Sequence, residues 1–254
     1  MLPVARRAKI KEMILEKKNV TVSELALLYQ VTEETIRRDL KQLEDEGVLT
    51  RTYGGAYITD GVQNDVNFNL REHIHVEGKK KIAEQCVRFI NNGDSIFLDA
   101  SSTSLYIANL LHDMRITVVT NSIKIVNALI DSPSVHIVIL GGGVSPSSMS
   151  SLGRNTEMSI QNYYFDLAFI SCRSISMAHA ITDSNEQQAE VRRLAIERAN
   201  QVFLIADYTK FDRTSFARIC GFDQIDALIV DQALRPEWHQ FLDSASIKLY
   251  ECTD

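Results

Sequence analysis

The sequence predicts an α/β chain in two parts: a small N-terminal unit of three helices and a β-hairpin, then a larger domain built on a mostly parallel sheet. Three observations predict it. Short amphipathic helical patterns crowd the stretch before Gly47. Seven apolar, largely β-branched runs fill the remainder, several of them separated by helical patterns, as in a parallel sheet covered on both faces. Charge divides the same way. Residues 1–58 hold ten Lys/Arg and nine Asp/Glu, net +1, and the rest hold seventeen and twenty-four, net −7, giving −6 overall.

In the N-terminal part, residues 6–18 place Ile10, Met13 and Ile14 at helical spacing. Thr21 and Glu24 fit a capping box opening a second helix with Leu25, Leu28 and Tyr29. After a short connection, Thr32 is the expected N-cap of a third helix whose apolar stripe is Ile36, Leu40 and Leu43, with Gly47 as its C′ residue. The segment "VLTRTYGGAYI" alternates around Gly54-Gly55 and predicts a hairpin. Helices with a tight turn followed by a hairpin describe a winged helix-turn-helix, in which the third helix enters the major groove. A helical docking domain is the alternative that pattern leaves open.

At about 100° per residue, the face opposite the apolar stripe carries Glu34, Thr35, Arg38, Lys41 and Gln42, with Arg37 at one edge and Glu33 and Asp39 flanking the core. Arg38, Thr35 and Gln42 are residue types that reach base edges or phosphates. The spacing also pairs Glu33 with Arg37 and Glu34 with Arg38, each pair contributing only about 0.2–0.5 kcal/mol. The same face therefore reads as a DNA-contacting surface or as a salt-bridged solvent face.

The bulk numbers narrow the class. Hydrophobic residues at 45% and charged residues at 24% give an ordinary globular composition rather than a disordered one. The acidic balance argues against a protein that coats nucleic acid without selecting a site. Cys86, Cys172, Cys220 and Cys252 are far apart and contain no CxxC, so free thiols in a reducing, cytoplasmic setting are expected. No apolar run approaches the roughly 18–20 residues needed to span a membrane. His73 and His75 lack an accompanying thiolate or carboxylate cluster, and no metal is expected there.

Residues 59–78 are polar and predict a linker; residues 79–254 form the second domain, entered by a helix from Lys79 with Ile82, Ala83, Cys86, Phe89 and Ile90 on one side. The strand candidates are 95–100, 116–121, 135–142, 167–172, 201–207, 227–231 and 247–252, with helical patterns at 104–112, 123–130 and 187–200. In such sheets ligands bind beyond the carboxyl ends of the strands. Asp99 ends the first strand, and Ser101, Ser102, Thr103 and Ser104 precede a helix. That pattern suits an anion site or simple helix capping. Asn121 and Ser122 end the next strand. Residues 140–145, with Gly142, are glycine-rich without forming GxGxxG, so no dinucleotide site follows. Asp207 and Lys210 follow a later strand, and Lys210 is a candidate cation for an anionic ligand. Arg192 reads either as a phosphate partner or as part of a solvated helix face.

The segment 20–58 closely resembles the N-terminal domain of DeoR/GlpR-type transcriptional regulators. The matching residues are Val31, Thr32 (where Ser is usual), Thr35, Ile36, Arg37, Arg38, Asp39 and Leu40, then Leu43 and Gly47, then Arg51, Gly54 and Gly55. The resemblance implies operator contacts from Thr32, Glu34, Thr35, Arg37, Arg38 and Lys41, and from Arg51, Thr52 and Tyr53 of the wing. It runs through nearly the whole chain and implies a sensor domain similar in fold to ribose-5-phosphate isomerase and the CoA transferases. Such a domain binds a phosphorylated sugar or related metabolite. The family's Asp-x-Gly-[Ser/Thr]-Thr pattern falls on 99–103, with Ser101 in place of glycine. Its Gly-Gly segment falls near Gly142, and Phe68 and Arg71 resemble a docking pattern. Its Asn-Glu-x-Glu-x-x-Val-Lys-Arg pattern begins at Asn185, with Glu186 retained, Gln188 in place of the acid and Arg192 in place of Lys. Its Ala-Asp-x-x-Lys-Phe falls on 206–211. Arg173 departs from the family's glycine-rich version and is expected to alter ligand selectivity. The implied effector set is Asp99, Ser101, Ser102, Thr103, Ser104, Asn121, Ser122, Gly142, Arg173, Glu186 and Lys210.

Sugar-phosphate isomerase chemistry would need a carboxylate base beside the substrate, for which Asp99, Asp207 and Glu186 are the available groups. A fused DNA-binding unit favours a ligand-controlled switch instead. The expectation is thus an oligomeric repressor of a carbohydrate-utilisation operon, released from double-stranded operator DNA by a phosphorylated sugar. It is expected to work without cofactor, metal or membrane, in a bacterial-type cytoplasm at the nucleoid.

Overall fold

The computed structural model describes residues 2–17, 19–45, 48–57 and 68–253. The chain divides into two compact units, residues 1–75 and 76–254. Gly47, expected as a helix cap, Ile58 at the end of the expected hairpin segment, and residues 59–67 of the expected linker lie outside the described residues.

The first unit contains α1 (Pro3–Lys17), β1 (Asn19–Thr21), α2 (Val22–Tyr29), α3 (Glu33–Asp45), β2 (Thr50–Thr52), β3 (Gly55–Tyr57) and α4 (Phe68–Glu72). Ile10, Ile14, Val20, Leu25, Ile36, Leu40 and Leu43 form one buried cluster with Met13 and Tyr29 packed against it, whereas Leu28, expected on the apolar side of the second helix, is 54% exposed. Thr21 caps α2 by accepting from the Glu24 amide at 3.2 Å, but the reciprocal half of the expected capping box is missing. The Glu24 carboxylate pairs instead with Lys17 Nζ at 2.7 Å. Gln30, at φ 52° and ψ 49°, turns the chain sharply between α2 and α3.

The expected hairpin is part of a three-stranded antiparallel sheet in the order β1-β3-β2. Thr52 pairs with Gly55, so Tyr53 and Gly54 form the turn and Gly55 belongs to a strand. A Cβ at Gly55 would lie 2.1 Å from the Val20 carbonyl oxygen, so glycine here allows β1 to close on β3.

In the second unit, α5 (Val76–Val87) leads into β4 (Ser95–Leu98), α6 (Ser102–Ala108), β5 (Ile116–Thr120), α7 (Ile123–Leu129) and β6 (Val135–Ile139). Then come β7 (Gly143–Ser145), β8 (Ser150–Leu152), α8 (Arg154–Ile160), β9 (Phe165–Ser171), β10 (Ser174–Ser176) and β11 (Ala180–Asp183). The chain ends with α9 (Glu186–Ile196), β12 (Ala199–Ala206), β13 (Ala217–Cys220), β14 (Ala227–Val230), α10 (Pro236–Ser244) and β15 (Lys248–Glu251). Helix α5 begins three residues before the expected Lys79, and Phe68–Glu72, read as linker, is helical, with Phe68 fully buried.

All seven expected strands join one parallel sheet in the order β15-β14-β12-β9-β4-β5-β6. Val202 through Ala206 are buried at every position, so side chains of both parities are covered. Phe203 stacks on Phe169 with ring centroids 5.3 Å apart, while Val202 and Leu204 join the cluster of Trp238 and Leu242. From β4 the sheet grows through β5 and β6 to one side; from β9 it grows through β12 to β15 on the other. The adjacent carboxyl ends of β4 and β9 therefore flank a topological switch point, where ligands bind in such sheets. The antiparallel sheet β10-β11-β13 and the hairpin β7-β8 are additions that the sequence pattern did not predict.

Candidate functional site

Two surfaces bear on function, one in each unit. On α3 the exposed side chains are Glu33, Glu34, Arg37, Arg38, Lys41, Gln42 and Asp45, with Thr35 half-buried. Thr32 accepts from the Thr35 amide at 3.3 Å, starting the helix. Arg37 Nη2 contacts Glu33 Oε2 at 2.6 Å and Arg37 Nη1 lies 4.0 Å from Glu34 Oε2. The expected Glu34–Arg38 pair is absent among the described residues; Glu34 leans towards Arg37 and leaves Arg38 without a carboxylate.

Asp39, expected at the border of the core, is buried and receives Arg6 Nε at 2.6 Å from α1. Glu44 receives both the Arg51 amide and Arg51 Nε at 2.9 Å, tying β2 to α3. The amide bond to Arg51 leads the effects that hold the Glu44 carboxyl below its ordinary range. Thr52 and Tyr53 are exposed at the tip of the wing.

The second surface lies at the switch point. Asp99 follows β4 and is 1% exposed. Its Oδ1 accepts from Ser104 Oγ at 2.6 Å; its Oδ2 accepts from the Ser171 amide at 2.9 Å, Ser171 Oγ at 2.6 Å and Arg192 Nε at 2.6 Å. Arg192 also donates from Nη1 to Asp183 and from Nη2 to Ser171 Oγ at 3.1 Å. Burial raises the Asp99 carboxyl, but the Arg192 charge and the serine hydrogen bonds outweigh it and hold the group below its usual value. The solvated-face alternative for Arg192 is thus overturned: the residue is buried between two aspartates that its sequence neighbours do not reveal.

The hydroxyl run after Asp99 is buried throughout. Ser101 caps α6 through the Ser104 amide at 3.0 Å, so the capping alternative is realised at that residue. At the end of β5, Asn121 is fully buried; Nδ2 donates to the Ser151 carbonyl at 3.1 Å, while Oδ1 has no partner. Ser122 caps α7 and bridges to Ser150, whose Oγ receives Gln188 Nε2 at 2.8 Å. Gly142 is exposed at φ 151°, where a Cβ would meet Thr156 Oγ1 at 2.1 Å. Lys210 Nζ sits 3.2 Å from Asp207 Oδ2 in a turn after β12. Burial pushes the Cys172 thiol up, opposed by the charges of Lys210 and Arg192 acting from beside it. Arg173 is half-buried just beyond β9, and Glu186 opens α9 with its side chain exposed.

Asp183, Ser171, Ser150 and Gln188 belong to this polar network although the sequence did not nominate them. The local cue to Asp183 is weak: it ends the short strand Ala180–Asp183, whose sequence Ala-Ile-Thr-Asp carries little apolar pattern. Among the described residues no group of three or more His, Cys, Asp or Glu is arranged to hold a metal, and no helix is long and apolar enough to cross a membrane.

Comparison with known proteins bears on both surfaces. The DeoR-like helix-turn-helix domain matches residues 6–61 and the DeoR C terminal sensor domain matches residues 74–232. The chain is 36% identical over 249 residues to the uncharacterized HTH-type transcriptional regulator YulB of Bacillus subtilis, covering 98% of this chain and 96% of that one. It is 30% identical over 247 residues to a putative aga operon transcriptional repressor of Escherichia coli O157:H7 (96% and 92% covered). It is 32% identical over 238 residues to the L-fucose operon activator of Haemophilus influenzae (94% and 96%). Among solved structures it is similar to the sorbitol operon regulator SorC from Klebsiella pneumoniae, with TM-score 0.37 and 11% identity over 80% of this chain and 89% of that one. A D-ribose-5-phosphate isomerase in complex with phospho-erythronic acid gives TM-score 0.40 and 18% identity over 54% of each chain. With both units matched and curated relatives aligned along almost its whole length, the chain belongs to the DeoR family of DNA-binding transcriptional regulators and is not an enzyme.

Proposed function

We propose that this regulator represses a carbohydrate-utilisation operon and is released by a phosphorylated sugar bound over the carboxyl ends of β4, β5, β6, β9 and β12. The observation that carries the ligand reading is Asn121. Its amide nitrogen is committed to the Ser151 carbonyl, which turns Oδ1 away as a fully buried acceptor without a partner. A sugar hydroxyl is the kind of donor that satisfies it. Ser101–Ser104, Ser122, Ser148 and Ser150 supply further hydroxyls nearby in the fold, and Lys210 and Arg173 supply cations for a phosphate. Asp99 and Arg192 are assigned to hold this lining rather than to touch the ligand.

The DNA contacts are assigned to Thr32, Glu34, Thr35, Arg38 and Lys41 of α3, with Arg37 held back by Glu33, and to Arg51, Thr52 and Tyr53 of the wing. A reading head with net charge of only +1 gains affinity from a second half-site, so the working form is a homo-oligomer on double-stranded operator DNA in the cytoplasm, at the nucleoid. The ligand acts through its differential affinity for the DNA-competent and released states. Activation is the second reading, favoured by the relative named as an L-fucose operon activator. A gel shift on DNA from the gene's own upstream region, with and without a panel of sugar phosphates, tests the proposal. Loss of the shifted band with one sugar phosphate is the expected result; turnover of any of them would overturn the reading of the second unit. Expression of the adjacent operon in a deletion strain separates repression from activation.

A further inference from the structure

The carboxylates on the two flanks of α3 each hold an arginine brought by another element. On a wheel of about 100° per residue, Asp39 and Glu44 lie roughly 70° to either side of the core direction. Glu44 holds Arg51 of the wing. Asp39 holds two arginines of α1, and it holds them unequally. Arg6 Nε sits 2.6 Å from Oδ2 with its side chain 6% exposed. Arg7 Nη1 sits 3.5 Å from Oδ1 with its side chain 19% exposed. Arg6 makes the short hydrogen bond to the buried carboxylate and Arg7 stands at ion-pair distance from its other oxygen, so one negative charge faces two positive ones.

An α-helix with its side chains is about 10–12 Å across and the major groove is about 12 Å wide. A group that touches the helix flank at the protein surface therefore stands against a sugar-phosphate wall when the helix enters the groove. Arg51 meets that description on one flank, and Arg7 meets it on the other. The geometry points to Arg7 as a DNA backbone contact that leaves Asp39 for a phosphate on binding, while Arg6 stays to keep α3 docked on α1. This rests on α3 being the groove-entering helix. Because Asp39 keeps its hydrogen-bonded partner, the exchange leaves no buried charge unpaired.

The test uses the full chain and a duplex selected from a random library with the wild-type protein. Observed affinity is measured against salt concentration for wild type, Arg7→Ala, Arg7→Gln, Arg7→Lys and Arg38→Ala, with helicity checked by circular dichroism. Each phosphate contact contributes about 0.9 to the slope of log affinity against log salt. Arg7→Ala and Arg7→Gln are expected to lower that slope by about 0.9 per bound protomer while keeping the preference for the selected duplex, and Arg7→Lys is expected to restore it. If both neutral variants keep the wild-type slope while Arg38→Ala loses the preference, the assignment of Arg7 is wrong. If Arg38→Ala is silent as well, the reading of α3 fails and Arg7 falls with it.

Discussion

Arg192 Nε meets Asp99 Oδ2 at 2.6 Å, 93 residues apart in sequence, beside the carboxyl ends of the two strands between which the sheet reverses its direction of growth. The contact ties α9 to the loop after β4, and Asp183 and Ser171 complete it. Two carboxylates and one guanidinium are buried together, so each member is needed by the others.

Arg192→Met should lower the unfolding free energy by about 3–5 kcal/mol, because two buried aspartates lose their counter-charge. Arg192→Lys should lie between the variant and wild type, since an ammonium lacks the fork that reaches both. Denaturant unfolding followed by circular dichroism measures both. A loss under about 1 kcal/mol for Arg192→Met would mean that the site hydrates freely.

The depressed Asp99 carboxyl makes part of the stability depend on pH. A folded-state value below the unfolded one means that the contribution is present in full above the ordinary range near pH 3.9 and is lost as the pH falls through the folded value. The stability difference between wild type and Asp99→Asn should therefore be constant near neutrality and shrink below about pH 4. A difference that grew on acidification would contradict the assignment.

Gly55→Ala should destabilise the first unit by about 1–3 kcal/mol, because its Cβ collides with backbone that no side-chain rotation can move. Gly54→Ala meets nothing within 4 Å and should leave the unfolding midpoint nearly unchanged. Equal effects in thermal melts would show that the close approach of β1 is not what requires glycine.

Arg38→Ala should reduce discrimination between selected and random duplex by about 1–3 kcal/mol. Arg37→Ala should mainly remove the helix pair with Glu33, a loss of only about 0.2–0.5 kcal/mol. Competition binding with the two duplexes compares them; a larger specificity loss for Arg37→Ala would reverse their roles.

Asn121→Leu keeps side-chain size while removing the unpartnered acceptor. Operator binding should persist and its relief by the effective sugar phosphate should fall by at least tenfold in ligand concentration. A variant that responds at the wild-type concentration would remove Asn121 from the ligand set.

Local regularity made much of this protein legible. Ile36, Leu40 and Leu43 recur at helical spacing, and the seven apolar runs of the second unit all entered one sheet, because periodicity and β-branching act over a few residues. Strands β10, β11 and β13, with the sequences Ser-Ile-Ser, Ala-Ile-Thr-Asp and Ala-Arg-Ile-Cys, are not legible in the sequence because polar residues interrupt them and they lack a continuous apolar run such as that of β14. Gly55 was recognisable as a turn signal, yet its role comes from the Val20 carbonyl 35 positions away in sequence. The charges show the same boundary most clearly. The sequence by itself determined that Glu33 lies four residues before Arg37, and the structure keeps that pair. It also determined that Asp39 borders the core and that Asp99 ends a strand. Only the tertiary structure decided that Asp39 holds Arg6, and that Asp99 and Asp183 share Arg192 in a buried site. Such pairs are set by the packing of distant elements, and no local spacing encodes which buried charge will meet which.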